Sequence, residues 1–346
     1  MRVLIIKTSA LGDVVHALPV IDYLHQVSPG IEIDWVVEEH FLPVLEHNPS
    51  LARIHAVSTR KWRKAPLAPA TRADMKALRA ALRTRSYDIV FDIQGNLKSG
   101  LIAWLCGAGE RIGFSAEAVQ EKLNLLFTTR KIPFLATDRN VTDRYLRVVS
   151  TPFGKDFSHM NLTGAIFSAD GDELAAELYM AKLPPGFVLL FQVGTTWRTK
   201  LWYPEGWIEL ARRITARYPD TTILVNWGSP DEQTLGEQIM REVGDSVQLL
   251  PWLRINELIP VIRRVDLLIG GDTGPLYLAA AVGTATVSYY RATCAATYAP
   301  RGERHIAVRS LMQCTPCQQT TCELDSECRK SITVDALFDA VIRLLD

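Results

Sequence analysis

No run of apolar residues in this sequence approaches the roughly 18 needed to span a bilayer, so no membrane-spanning helix is expected. The start, Met1-Arg2-Val3-Leu4-Ile5-Ile6-Lys7, carries only a short apolar stretch and no small-residue cleavage site, which argues against a secretory signal and for a cytosolic protein. Net charge is also missing. Lys+Arg and Asp+Glu both total 38, giving +0. That argues against a nucleic-acid partner held by global charge, so any electrostatic partner must meet a local patch. Cysteine is sparse, six in 346 residues, which excludes a secreted disulfide scaffold. There is no short internal repeat and no low-complexity tract. Two phosphate fingerprints are absent as well. The nearest approach to G-x-G-x-x-G, Gly107 and Gly109 with Gly113, has the wrong third spacing and precedes a strand, which counts against a nicotinamide dehydrogenase. No Gly-Lys-Ser/Thr of a P-loop occurs.

What remains is an ordinary globular composition, 48% hydrophobic and 22% charged. At 346 residues the chain exceeds the roughly 100–200 of one domain, so two are expected. Short β-rich runs alternate with helix-length patterns, which signals parallel sheets with helical crossovers, an α/β fold. In the first half the strand candidates are Arg2–Ile6, Ile31–Val37, Ile54–Val57, Tyr87–Ile93 and Arg111–Gly113, with helical patterns at Val14–Gln26 and Ala73–Arg83. In the second they are Phe187–Val193, Thr222–Asn226, Leu267–Ile269 and Thr286–Tyr289, separated by helices near Glu205–Arg217, Pro230–Val243 and Pro275–Val282. A last helix is expected over Val334–Leu344. Pro152, Gly154 and Gly164 interrupt the pattern, and the boundary is set between domains 1–165 and 166–346. Two doubly wound domains in tandem suggest a cleft between the carboxyl ends of two sheets, a natural place for a two-substrate enzyme.

Four loops follow strands. In Lys7–His16, Gly12 is expected to permit a tight turn. Asp13 sits near a helix start, where it reads either as a cap or as a functional carboxylate. In Gly270–Pro275, a Gly-rich turn opens a helix with Pro275 in its first turn, which makes an anion site from Asp272, Thr273 and Gly274 or a plain capped turn. In Thr195–Pro204, the hydroxyls of Thr195 and Thr196 with Lys200 suit a diphosphate, or form a polar loop with a snorkelling lysine. In Asn226–Glu232 a carboxylate could hold ribose hydroxyls, although Asp231 reads more readily as a helix cap.

Charge is uneven locally. Arg60 to Arg85 holds nine basic residues and one acid, Asp74. Arg72, Lys76, Arg79 and Arg83 share one helix face, and Arg60-Lys61-Trp62-Arg63-Lys64 precedes them. The patch suits a phosphorylated, acidic or membrane-borne substrate, or is a solvated face. Cys314, Cys317, Cys322 and Cys328 fall within fifteen residues. They form a candidate structural zinc or iron site, or air-sensitive disulfides, or free thiols; the spacing is not that of a zinc ribbon. Lying past the last of these loops, the segment is expected to be structural and remote from the chemistry.

Together these stretches carry a resemblance. Ser9–Pro19, Asp34–Glu39, Arg60–Lys64, Asp92–Ser99, Thr195–Trp202 and Asp272–Gly274 are similar, in order, to the ADP-heptose:lipopolysaccharide heptosyltransferases of glycosyltransferase family 9. Asp34–Glu39 and Arg60–Lys64 favour the heptosyltransferase I branch, whereas the cysteine spacing resembles heptosyltransferase II-type sequences as well. The resemblance implies a GT-B architecture of two Rossmann-like domains facing a central cleft. The N-terminal domain takes the acceptor and the C-terminal domain the nucleotide sugar. It implies inverting transfer of L-glycero-D-manno-heptose from ADP-heptose to 3-deoxy-D-manno-octulosonic acid (Kdo) on lipid A, with no metal required for catalysis. By this resemblance Asp13 is the general base, while Thr195, Thr196, Lys200, Asp272, Thr273 and Gly274 meet the donor diphosphate and its turn. Leu253 lines the adenine pocket and Glu232 stands for the ribose-binding acid, because Pro230 occupies its usual place. Ser9, Gly12, Arg60, Lys61, Arg63, Lys64 and Lys122 form the acceptor set. The implied location is cytoplasmic, peripheral on the inner membrane. Tyr277 stands where the family often has His, and Gln120 where the branch has an arginine. Two other classes fit the same fold: a sugar-nucleotide epimerase, and a non-catalytic nucleotide-sugar-binding protein.

Overall fold

The computed structural model describes residues 1–346. It divides into two compact units, Met1–Phe167 and Ser168–Asp346. In the first, strands β1 (Arg2–Ile6), β2 (Glu32–Glu38), β3 (Arg53–Val57), β4 (Ile89–Asp92), β5 (Glu110–Phe114) and β6 (Arg130–Ile132) form one parallel sheet in the order β3-β2-β1-β4-β5-β6. In the second, β7 (Val188–Gln192), β8 (Thr222–Asn226), β9 (Val247–Leu249), β10 (Leu267–Gly271), β11 (Ala285–Tyr290) and β12 (His305–Arg309) are ordered β12-β11-β10-β7-β8-β9. Each unit therefore repeats one plan: its first strand pairs with its second on one side and its fourth on the other. No helix is long and apolar enough to cross a membrane.

The central strands are apolar from end to end because helices cover both faces. Val3, Leu4, Ile5 and Ile6 are fully buried, as are Leu189, Leu190 and Phe191. The strands missed from sequence are β6, β9 and β12, all at sheet edges. An edge strand needs less apolar surface, and Arg130-Lys131-Ile132 or His305–Arg309 carries too little to stand out.

The helix expected over Val14–Gln26 is two helices, Leu11–Ala17 and Pro19–Val27. Pro19 lacks an N–H and its ring clashes with the preceding turn, so it starts the second helix. Gly12 lies inside the first helix and makes no left-handed turn, contrary to the expectation. Gly95 does require glycine: its φ is +76°, and a Cβ there would meet the Phe114 ring at 2.8 Å. In the second unit Trp202, Trp207, Phe191 and Tyr289 pack as an aromatic core, and Trp202 Nε1 donates to the Ile332 carbonyl at 2.9 Å.

Candidate active site

Ligands of doubly wound sheets bind beyond the carboxyl ends of the strands, at the point where strand order reverses. Here that point lies between β1 and β4 in the first unit, and between β7 and β10 in the second.

In the first unit the loop after β1 is held by the loop after β4. Gln94 Oε1 accepts the backbone N–H groups of Thr8 and Ser9, each at 3.0 Å. Gln94 is fixed in turn by fully buried Asp92. That carboxylate accepts the N–H groups of Gln94 and Gly95, the Ser99 hydroxyl and the Asn124 amide, while burial pushes its pKa up. This scaffold delivers Asp13 in the first turn of Leu11–Ala17.

Asp13 Oδ2 accepts the Ala10 N–H at 3.1 Å, so the capping contact expected of it is made. Its Oδ1 accepts the Tyr145 hydroxyl at 3.0 Å, and Lys7 Nζ stands 4.0 Å away. Burial opposes ionisation of this carboxyl. The Lys7 charge, the Ala10 N–H, the nearby His16 and the Tyr145 hydroxyl outweigh it and hold the pKa below the usual carboxylate range. The side chain is still 35% exposed. Asp13 is thus a cap and also an ionised, reachable carboxylate with lone pairs left over. Lys7 is almost wholly buried, and burial pulls its pKa down against the pull of Asp13 and Asp92. Its ammonium lies 4.6 Å over the Tyr145 ring. Ser9 and Gly12 flank Asp13, half-buried.

The basic segment forms a helix, Thr59–Lys64, directly after β3 and so at the same sheet edge. Arg60, Lys61, Arg63 and Lys64 are exposed, and only Lys61 pairs, with Glu39 at 3.2 Å. The helix is anchored through buried Thr59, which bonds Glu38 and receives Lys98 Nζ at 3.0 Å. Exposed Lys122 opens a 3-10 turn, Lys122–Leu126, which docks on the loop after β4 where Asn124 donates to the Asn96 carbonyl. Gln120 is exposed beside it.

In the second unit the expected residues converge on Asp272, just after β10. Its Oδ2 pairs with Lys200 Nζ at 2.8 Å and accepts the Thr293 hydroxyl at 2.6 Å. Its Oδ1 accepts the Tyr277 hydroxyl at 2.5 Å, and Thr195 Oγ1 is 3.5 Å from its carbonyl. Burial, with Tyr290 and Asp272 nearby, pushes the Tyr277 pKa well up, so this phenol stays a donor. Tyr277 is therefore a strut for Asp272. Lys200 also lies 4.5 Å over the Trp197 ring, and Thr196 is exposed in the same loop. Thr273 makes no side-chain cap bond at the start of Gly274–Ala281, where Pro275 occupies the first turn. The amides of that helix end and the Thr273 hydroxyl suit an anion.

Ser229, and not Asp231, caps Pro230–Val243, by accepting the Glu232 N–H. Asp231 sits within the first turn, two residues past the cap position. Glu232 folds back, accepts the Gly228 N–H at 2.7 Å, and fills the space over Gly194, where a Cβ would meet its carboxyl carbon at 1.9 Å. It thereby stands beside the loop that bears Thr195 and Thr196. Leu253 lines a cavity of about 180 Å³ with Tyr179, Leu250 and Pro251. A larger cavity of about 480 Å³, bounded by Phe187, Asp220 and Asp266, opens at the amino-terminal edge of the same sheet, away from these residues.

The model of glycosyltransferase family 9 (heptosyltransferase) matches residues 75–327. The chain belongs to glycosyltransferase family 9. It is 30% identical over 323 residues to lipopolysaccharide heptosyltransferase 1 of Pseudomonas aeruginosa, covering 93% of this chain and 87% of that one. Against the protein of the same name from Escherichia coli K12 it is 30% identical, over 85% of this chain and 88% of that one. The structure of E. coli heptosyltransferase WaaC with ADP-2-deoxy-2-fluoro heptose superposes with a TM-score of 0.78 at 28% identity, covering 99% of each chain. A family 9 structure from Veillonella parvula gives 0.81 at 19% identity over 99% of this chain and 97% of that one, and supports the fold alone. The protein is therefore a glycosyltransferase of GT-B architecture.

Two expectations for this glycosyltransferase are corrected. Its four clustered cysteines do not assemble a metal site: no group of three or more His, Cys, Asp or Glu side chains converges. Cys328 is buried in helix Asp325–Lys330 with Sγ 3.8 Å from Ser310 Oγ, whereas Cys314 and Cys322 are exposed on the preceding loops. Nor is the segment remote from the donor-type residues. It braces the Lys200 loop from behind. Thr199 Oγ1 donates to the Gln319 carbonyl at 2.5 Å, and Arg329 to the Arg198 carbonyl at 3.3 Å. Arg291, almost wholly buried, donates to the Leu201 carbonyl at 2.5 Å and to Asp325 Oδ1 at 2.7 Å. Sequence reading missed Arg291, Asp325, Thr293, Tyr145, Gln94 and Lys98. Of these, Gln94 and Lys98 lie inside a stretch already quoted, and the others carry no local signature.

Proposed function

We propose that the protein transfers L-glycero-D-manno-heptose from ADP-heptose to Kdo of the lipopolysaccharide inner core, on a Kdo-lipid A acceptor, with inversion and with Asp13 as general base. The observation that carries this reading is the Asp13 carboxylate. It is ionised, fixed by Ala10 and Tyr145, and reachable at the strand-order reversal of the first sheet. The names of the relatives, lipopolysaccharide heptosyltransferase 1, and the ADP-sugar in the WaaC structure support donor and acceptor class.

In this reading the acceptor hydroxyl loses its proton to Asp13 as its oxygen bonds the anomeric carbon. The bond from that carbon to the diphosphate oxygen breaks, and ADP leaves with the electron pair. Lys200, the hydroxyls of Thr195, Thr196 and Thr273 and the Gly274 end of the helix receive the growing charge, while Asp272 holds Lys200 in place within the donor-binding turn. Leu253 contacts adenine and Glu232 the ribose. The unit Met1–Phe167 takes the acceptor through Ser9, Gly12, Arg60, Lys61, Arg63, Lys64 and Lys122, whose cations suit Kdo carboxylates and lipid A phosphates. The unit Ser168–Asp346 takes the nucleotide sugar. The enzyme then works on the cytoplasmic face of the inner membrane, as a peripheral protein.

The test follows ADP release from ADP-heptose with and without a Kdo-bearing acceptor. Transfer requires release only when both are present. Isomerised ADP-heptose without ADP release would indicate an epimerase, and binding without turnover would indicate a carrier.

A further inference from the structure

Helices Pro69–Arg83 and Leu97–Leu105 lie on one face of the first sheet. Leu78 and Leu82 of one and Ile102 and Ala103 of the other share a buried cluster with Leu4, Ile6 and Val90. The two helices touch at their ends, where Arg83 Nε donates to the Leu105 carbonyl at 3.2 Å. The turn Lys122–Leu126 packs on the far side of Leu97–Leu105, so closely that a Cβ on Gly100 would meet the Phe127 ring at 2.8 Å.

The outer surface of this layer is neither evenly polar nor fully covered. Leu97 and Trp104, one above the other at i and i+7, are 41% and 53% exposed. Leu123 and Leu126 on the adjoining turn are 58% and 77% exposed. Beside them, Arg72, Lys76 and Arg79 line the outside of Pro69–Arg83, and none makes an ion pair. The one acid of that helix, Asp74, accepts from Trp62 Nε1 at 3.3 Å.

We propose that this layer is a docking face for an anionic lipid bilayer. A strip of leucine and tryptophan flanked by unpaired cations matches the boundary between acyl chains and negative headgroups. The apolar side chains enter the interface while the long cations reach phosphate. Trp104, Leu123 and Leu126 lie on two elements that pack together, which exposes more apolar surface than the single scattered residues usual on a solvated face. The inference deepens the proposed function, whose acceptor is lipid-borne. Its test reads vesicle binding instead of turnover, so the two fail separately.

The full chain is floated with phosphatidylcholine vesicles and with phosphatidylcholine–phosphatidylglycerol vesicles of about 3:1 composition. Binding to the anionic vesicles is expected, weakened but not abolished by salt. The triple variant Trp104→Gln, Leu123→Gln, Leu126→Gln should lose at least about tenfold in vesicle partition at unchanged Tm. The single variant Leu126→Gln guards against a folding defect in the triple. Arg72→Gln, Lys76→Gln, Arg79→Gln should abolish the preference for anionic vesicles. Equal binding by the triple variant, or no binding of the parent chain to either vesicle, overturns the proposal. So does a dimer, in the absence of vesicles, that Leu126→Gln dissolves, since it assigns the face to a second copy.

Discussion

Lys200 Nζ lies 2.8 Å from Asp272 Oδ2, and the two residues follow β7 and β10, the strands between which the order of the second sheet reverses. The pair bridges that reversal. Asp272 is in turn held by Thr293 and Tyr277, so the ammonium is aimed by an aspartate that is itself aimed.

Removing the cation tests its role on the donor. Lys200→Met should weaken ADP binding by about 10–100-fold, the range of a lost charge-assisted hydrogen bond, and reduce its salt dependence. Asp272→Asn keeps one acceptor oxygen, for Tyr277 or for Thr293 but not for both, leaves the Lys200 charge in place, and should have a smaller effect. Calorimetric titration with ADP reads both. An unchanged affinity in Lys200→Met would place the diphosphate elsewhere.

Asp13→Asn keeps an oxygen for the Ala10 N–H and removes the proposed base. It should fold normally, bind donor normally, and lose roughly 10²–10⁴-fold in kcat, whereas loss of a cap alone costs about 1 kcal/mol of stability and no rate. Tyr145→Phe removes one group that lowers the Asp13 pKa. The folded pKa rises, so the acidic limb of the kcat/KM profile should shift to higher pH. A limb that stays put would show that Tyr145 only packs.

The brace behind the Lys200 loop predicts effects away from any substrate. Arg291→Lys cannot bond Leu201 and Asp325 together, and Asp325→Asn loses the charge that Arg291 and Arg329 share. Both should raise the Kd for ADP several-fold while leaving the acceptor KM unchanged. Parallel loss of both constants would point to general unfolding, which thermal melts would detect.

Neutralising Arg60, Arg63 and Lys64 together should raise the acceptor KM and flatten its salt dependence, since three exposed, unpaired cations are lost. The donor Kd should not move. A weakened donor Kd beside an unchanged acceptor KM would reverse the assignment of the patch.

Asp34 should contribute to acid stability. Burial opposes its charge, but hydrogen bonds from His55, Arg85 and Tyr87 and the Arg85 charge bring its pKa to about 2. A depressed carboxyl stabilises the fold above its unfolded pKa. The contribution, about 2 kcal/mol, is present at neutral pH and is lost as pH falls from about 4 towards 2. Asp34→Asn should lower Tm at pH 7 and flatten the melting curve against pH in that window. A variant as acid-sensitive as the parent would show that other carboxylates dominate.

Much of this was legible in the sequence because central parallel strands are apolar from end to end and their loops hold the polar outliers. Asp13, Lys200 and Asp272 each stand just past such a run. The convergence of Lys200 with Asp272 was not legible, because residues 72 positions apart meet only through strand order. Arg291 was hidden for a related reason. Its partners Leu201 and Asp325 lie on loops with no periodicity, so nothing local distinguishes a buried arginine from an exposed one. The cysteines misled in the other direction: close spacing along a loop is no guide to where the sulfurs point. Pro19 was a readable signal, and it divides a helix that apolar spacing alone runs together.

The two sheets have one strand plan, so every loop in one unit has a counterpart in the other. Asp13 stands in the first helical turn after the first strand, and Lys200 in the segment that follows the first strand of the second unit. One slot carries an anion and its twin a cation. If the proposed division of labour holds, exchange of residues 1–167 between family members should redirect the acceptor while ADP affinity is kept.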